Sequence, residues 1–147
     1  MKSVVIQKVV VLNNEGSILL LQRSDNDVRR PLEWDLPGGW LDKNESLESG
    51  INREVAEETG LTIDTPKLVF TKTEVRTWQE GEDAQKSGNC VFLFYIARAK
   101  NTDVSLSYEH TAYQWLPINE AIKQYKYPLH IEALTYISQN QLVDAIA

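Results

Sequence analysis

Three glutamates, Glu54, Glu57 and Glu58, stand within one helical turn of each other, a short distance after the glycine pair Gly38-Gly39. Clustered carboxylate oxygens suit a hard divalent cation such as magnesium or manganese. Paired glycines allow a close backbone approach that a Cβ would block. Arg53 directly precedes the first glutamate, and one arginine cannot neutralise three acids. A divalent ion could, and the chemistry such a group invites is metal-assisted attack on an anionic substrate.

The element that must carry these acids is a helix. Leu47, Ile51 and Val55 recur every four residues, and Gly60 is a natural left-handed stop, so the spacing predicts a helix from Leu47 to Thr59. At about 100° per residue, Glu54 and Glu58 project within about 40° of the Leu47–Ile51 stripe, with Glu57 on its flank. The stripe that enters the core thus turns acidic at its far end. Like charges at helical spacing and anions near a helix C-terminus are both unfavourable, and a breach of local rules at one place points to function. An ordinary solvated acidic face is the alternative reading of the glutamates taken alone.

The wider spacing weighs against that alternative. Gly39, five residues, Glu45, seven residues, Arg53-Glu54-Val55-Ala56-Glu57-Glu58, one residue, then Gly60-Leu61 resembles the signature of the Nudix hydrolases at every fixed position. The resemblance implies an α/β fold, an α/β/α sandwich around a central mixed β-sheet, and hydrolysis of a nucleoside diphosphate linked to another group, with nucleoside triphosphates, in nucleotide-pool cleaning, among the candidate substrates. It implies magnesium, with manganese as a substitute, held by Glu54, Glu57, Glu58 and the Gly38 carbonyl. It also implies a general base, for which Glu54 is the first choice and a loop carboxylate outside the box the alternative; Glu109 is the leading loop candidate, ahead of Glu80, Glu82 and Asp83. Arg53 is expected to orient a box glutamate, with Glu57 its i+4 neighbour, and Glu45 to hold the loop–helix junction. Two departures are Asn44, where many relatives have glycine, and Ser49-Gly50 within the helix, where glycine costs up to about 1 kcal/mol relative to alanine but permits close packing.

Composition bounds the rest. The 147 residues fit one domain, 1–147, and 42% hydrophobic with 24% charged residues describes a globular chain with a true core. A net charge of −6 provides no broad surface for nucleic acid, so an anionic small nucleotide must be met locally by metal and a few cations. Arg23, Arg29 and Arg30 are the cations nearest the box in sequence, read equally as phosphate contacts or as solvated charges. Cys90 is alone and opens an apolar run, which fits a buried thiol in a reducing compartment. With no long apolar window or cleavage site, a cytoplasmic protein without membrane contact is expected. A homodimer is compatible with all of this.

Along the chain, residues 3–12 and 17–23 form a hairpin about Asn13-Asn14-Glu15-Gly16. Residues 24–33 are an exposed loop, and Trp34–Gly39 a short strand ending in a glycine turn. Leu68–Trp78 and Val91–Ala99 are further strands joined by a polar connection over 79–89. The unbroken apolar run Val91–Ala97 marks a strand covered on both faces. Residues 104–107 and 113–116 are short strands, Pro117–Ala121 opens a helix with Asn119 as a candidate cap, and 129–144 is a last helix packing through Ile131, Leu134, Ile137 and Leu142. His110 and His130 read as structural. Trp40, Trp78 and Tyr113 are packing residues that could stack on a base.

Competing readings are a non-catalytic Nudix-like domain that binds a nucleotide or metabolite, a hydrolase of ADP-ribose or nucleotide sugars, and an RNA-decapping enzyme. The intact set of box glutamates disfavours the first. Val75-Arg76-Thr77-Trp78 lacks the downstream proline or tyrosine that marks some ADP-ribose and dinucleoside polyphosphate subfamilies, and the acidic chain disfavours the last.

Overall fold

The computed structural model describes the backbone of residues 2–80 and 84–146, and side chains over 3–77 and 88–146. β1 (Lys2–Leu12) and β2 (Ile18–Arg23) are antiparallel but meet only at Leu12↔Ile18, where Gly16 turns the chain with φ 76°. Beyond that point they splay apart. The gap is filled by the following segment, which makes two strands where one was expected: β3 (Trp34–Asp35) pairs with β2, and β4 (Gly38–Trp40) pairs with β1 through Ile6↔Trp40, Gln7↔Gly39 and Lys8↔Gly38. Leu36-Pro37 separates them, since proline lacks the N–H that a continuous ladder needs.

β5 (Lys67–Glu80) and β6 (Ala84–Arg98) form a long antiparallel hairpin, and β6 runs parallel to β1 from Lys2↔Gly88 to Leu12↔Arg98. The polar connection expected over 79–89 is therefore mostly strand, paired as far as Glu80↔Ala84. β7 (His110–Leu116) pairs with the outer edge of β2, completing a mixed seven-stranded sheet.

Helices cover both faces. On one side α1 (Leu47–Thr59) buries Ile51 and Val55 against Val9, Val11, Leu19, Leu21, Tyr95 and Ala97. Each fully buried aliphatic side chain there contributes about 1.5–3 kcal/mol. Leu47 instead lies 45% exposed, so the packed stripe starts one turn later, at Gly50. On the other side α2 (Ile118–Ile122) and α3 (Pro128–Gln139) pack Ala121, Leu129, Ala133, Leu134 and Ile137 on Val10, Leu20, Phe92, Phe94 and Ile96. Consecutive β6 residues thus enter opposite cores, which explains the unbroken apolar run.

Three sequence expectations fail locally. The expected helix over 129–144 breaks at Asn140-Gln141, where Gln141 has φ 53°, and restarts as α4 (Leu142–Ile146). Asn119 lies inside α2, where its Oδ1 accepts from the Ser138 hydroxyl at 2.8 Å; Pro117 occupies the cap. Residues 104–107 are not a strand. They form a strap whose Ser105 and Ser107 N–H groups donate to the carbonyls of Thr59 and Glu58 at the end of α1, while Val104 and Leu106 pack on its core. Alternating apolar residues serve a helix terminus there, not a ladder.

Candidate active site

The turn into α1 is built by local chemistry. Ser46 Oγ accepts from Ser49 N at 3.1 Å as the N-cap, and Gly60, with φ 70°, returns its N–H to Ala56 O. Asn44 adopts φ 64°, so it occupies the left-handed conformation that a glycine would otherwise supply. Gly50 is buried, and a Cβ there would come within 2.8 Å of Leu41, 2.9 Å of Glu45 and 3.0 Å of Gln7. Its helix-weakening flexibility is exchanged for close approach of the loop.

Gly38 has φ 135°, and a Cβ would lie 2.0 Å from the Gln7 carbonyl oxygen. Only glycine fits. Its N–H donates to Glu58 Oε1 at 3.1 Å, which fixes the buried end of the acidic turn against β4. Gly39 faces Glu54, whose carboxylate oxygen would stand 2.9 Å from an added Cβ.

The three glutamates differ sharply in environment. Glu58 is 3% exposed, and burial holds its carboxyl well above the usual range against the opposing Lys8 charge and Gly38 N–H. Glu54 is also raised by burial, despite Arg53 beside it, and its carboxyl lies within hydrogen-bonding reach of Glu58. Glu57 is 59% exposed and pairs with Arg53 Nη1 at 3.1 Å. The structure therefore brings Glu54 and Glu58 together and turns Glu57 towards the cleft rim. Among the described residues no group of three or more His, Cys, Asp or Glu side chains is pre-arranged to hold a metal ion. The donor set nevertheless fits one: it is all oxygen, two members are held uncomfortably close in a low-dielectric setting, and Glu54, Glu57, Gly38 and Gly39 line one cleft.

Arg53 ties the turn together. Its Nε donates to Glu45 Oε2 at 2.7 Å and its Nη2 to Glu45 Oε1 at 3.1 Å, and Nη2 also lies 3.2 Å from Glu54. The expected Glu57 contact is present, but Glu45 receives the two-pronged contact, which raises the guanidinium pKa further. Glu45 also accepts from Asp42 N at 3.0 Å, holding the loop–helix junction as expected.

The cleft, about 520 Å³, opens where β1 and β2 part. Lys8, Arg23, Arg29, Arg30 and Arg76 line it together with Glu54 and Glu57, and the exposed Glu109 lines it too. Trp40, Phe92 and Tyr127 add aromatic surface. Arg30 lies 4.3 Å and Arg76 5.4 Å from the Tyr127 ring centroid, and Arg76 also hydrogen-bonds the Tyr127 hydroxyl. Tyr113 is not among the lining residues; Glu82, Asp83 and the side chains of Trp78 and Glu80 lie outside the described residues.

Under the cleft, Asp35 is 1% exposed and contacts Lys8, Arg23, Arg30 and His130. Burial alone would raise its pKa, but these neighbours hold it far below the usual range. His130 is buried and driven down to about 3, so it meets Asp35 as a neutral ring, Nε2 to Oδ1 at 3.2 Å. His110, lowered by burial to about 4, sits 4.0 Å from Glu58. Both rings are buried, and His130 also borders the main cleft. Sequence reasoning missed Lys8, Asp35, Arg76, Phe92 and Tyr127. The available signal was a single charge inside an apolar strand, Lys8 before Val9-Val10-Val11-Leu12 and Asp35 between Trp34 and Leu36.

The NUDIX domain profile matches residues 3–136. Nucleoside triphosphatase NudI of Salmonella schwarzengrund (strain CVM19633) is 29% identical over 114 residues, covering 75% of this chain and 79% of the relative. The crystal structure of the MutT protein from Methanosarcina mazei Go1 matches with a TM-score of 0.74 at 27% identity, covering 95% of each chain. The C. elegans Ap4A hydrolase shares the fold, with a TM-score of 0.70 at 24% identity over 95% of this chain and 98% of that one. Among the described residues no helix is long and apolar enough to cross a membrane. Family profile, fold and box geometry agree: the chain belongs to the Nudix family and is a pyrophosphohydrolase acting on phosphorus-containing anhydrides.

Proposed function

We propose that the protein hydrolyses nucleoside triphosphates, cutting a pyrophosphate linkage with magnesium, for which manganese can substitute. The observation that carries this is the cleft's charge pattern: five cationic side chains line it beside Glu54 and Glu57 in a chain of net charge −6. A triphosphate carries enough negative charge to engage both the cations and an ion held at the glutamates, and the aromatic surface of Trp40, Phe92 and Tyr127 suits a base. The NudI relative is named a nucleoside triphosphatase, which supports the same substrate class.

Glu54, Glu57 and Glu58 with the Gly38 carbonyl would hold the ion. The chemistry supplied by a bound ion is charge neutralisation along the phosphate chain. Lys8, Arg23 and Arg30 bind and orient the phosphates. Glu54, half-buried with a raised pKa, takes the proton of the attacking water as its oxygen bonds to phosphorus and the bridging P–O bond breaks. Glu109, on the rim, is the alternative base. Arg53 positions Glu54 and Glu57 and does not touch substrate.

Residues 1–147 act as one catalytic unit on this reading, because one sheet carries both core layers. A cytoplasmic setting is supported by the lone, buried Cys90. The test is a panel of nucleoside di- and triphosphates, ADP-ribose and nucleotide sugars with magnesium, following released phosphate or pyrophosphate. Turnover of ADP-ribose or nucleotide sugars in preference to every triphosphate would overturn the substrate assignment.

A further inference from the structure

Asp35 is a buried anion that no catalytic step uses. Each of its two carboxylate oxygens is surrounded by donors. Oδ2 accepts from Arg23 Nη1 at 2.7 Å and Lys8 Nζ at 3.2 Å, with Arg30 Nη2 at 3.8 Å; Oδ1 accepts from Leu36 N at 2.8 Å and lies 3.2 Å from both Lys8 Nζ and His130 Nε2. These partners come from β1, β2, the 24–33 loop and α3. Lys8, Arg23 and Arg30 all line the main cleft, whereas Asp35 borders a recess of about 50 Å³ beside it. At 1% exposure it is out of reach of a ligand in that cleft.

We propose that Asp35 is the positioning residue of the phosphate-binding wall, a single carboxylate that gathers Lys8, Arg23 and Arg30 from three separate elements and aims them at the phosphate chain without contacting it.

The charge balance supports this. Burial keeps His130 neutral beside Asp35, so one negative charge collects three positive ones. Asp27 adds a second anion, accepting from Arg23 Nη2 at 2.6 Å and, through Oδ1, from the N–H groups of Arg29 and Arg30 at 2.9 and 2.8 Å. The cluster therefore keeps a net positive charge facing the cleft. Three cations so close together repel one another, and without the anion behind them their side chains have no reason to converge. A bidentate or forked guanidinium contact also fixes direction, which a solvated arginine lacks.

The inference rests on the phosphate-wall reading of the cleft, and the test separates the two. Wild type, Arg23→Ala, Asp35→Asn and the double variant are titrated with inorganic tripolyphosphate in EDTA, followed by ³¹P NMR, so that no metal shares the binding. In parallel, KM and kcat are measured with magnesium on the nucleoside triphosphate turned over fastest. The expected result is that each single change weakens tripolyphosphate binding about 10-fold, while Asp35→Asn costs no more than about 3-fold in the Arg23→Ala background. KM should rise more than kcat falls. If Arg23→Ala leaves binding unchanged, the wall reading fails and the proposal with it. If Arg23→Ala weakens binding but Asp35→Asn does not, or the two effects simply add, the wall stands and Asp35 is only a folding residue. Should Asp35→Asn not fold by circular dichroism, Asp35→Glu replaces it in the same cycle. That variant keeps the charge but shifts the oxygens, and it must show weakened, non-additive binding for the proposal to survive.

Discussion

Gly38→Ala and Gly39→Ala are adjacent one-carbon changes with opposite expected outcomes. At Gly38 the new Cβ would be placed 2.0 Å from Gln7 O and 2.9 Å from both Gln7 C and Lys8 Cα, all backbone atoms of β1, at φ 135°. A strand interior cannot yield at those distances. Disfavoured dihedrals cost roughly 1–3 kcal/mol and overpacking a similar amount, so Gly38→Ala should destabilise the fold by about 3–5 kcal/mol. At Gly39 the new Cβ meets only the Glu54 carboxyl group, at 2.9–3.2 Å, and that side chain can swing away. Stability should then fall by less than about 1 kcal/mol, while the displaced Glu54 lowers kcat by about 10- to 100-fold. Urea unfolding followed by tryptophan fluorescence gives the first quantity, and steady-state release of pyrophosphate or phosphate the second. A Gly38→Ala protein as stable as wild type would refute the register of β4 against β1. A fully active Gly39→Ala protein would remove Glu54 from the chemistry.

Arg53→Lys keeps the charge but loses the fork to Glu45, so kcat should fall roughly 10-fold or more with circular dichroism unchanged; wild-type kcat would mean that Arg53 orients nothing. Glu54→Gln and Glu109→Gln discriminate between the two candidate bases: loss of the acidic limb of the kcat–pH profile is expected for Glu54→Gln alone, and its loss in Glu109→Gln would transfer the role to the rim. Acid stability has a defined sign. The folded pKa of His130, about 3, lies below its ordinary value of 6.5, so the unfolded chain takes up the proton first and stability, complete above pH 6.5, drains away as pH falls. Between pH 7 and 5 His130 accounts for about 2 kcal/mol of that loss. Glu54 and Glu58 are raised by burial and slope the other way, so the readout is the difference between wild type and His130→Gln in urea midpoints across that range. Parallel curves would contradict the buried neutral ring.

What could be read in the sequence was what local rules encode. The bounds of α1 follow from its apolar period, and Gly60 stops it in the left-handed conformation expected of it. The two-sided burial of β6 follows from the absence of alternation in Val91–Ala97. Asn44, an apparent departure from the box, fits because asparagine tolerates the φ of 64° that the turn requires. Tertiary choices were not legible. The helical wheel sets Glu58 on the core-facing stripe and Glu57 on its flank, but it gives angles and not what covers them: Arg53 for exposed Glu57, Gly38 for sealed Glu58. Lys8 and Asp35 are 27 positions apart and meet only because β1 and β2 splay. The 104–107 strap alternates like a strand, yet its N–H groups satisfy the open carbonyls at the end of α1, a partner invisible to periodicity.

Dependence of phosphate-anhydride hydrolysis on a divalent ion is proposed to run through Glu58, the buried glutamate of the acidic turn. It is tested most directly by assaying wild type and Glu58→Gln on nucleoside triphosphates with magnesium and again with EDTA. The expected result is magnesium-dependent release of pyrophosphate or phosphate by wild type and a loss of at least about 100-fold in a folded Glu58→Gln protein. Hydrolysis that survives both EDTA and the substitution would contradict it.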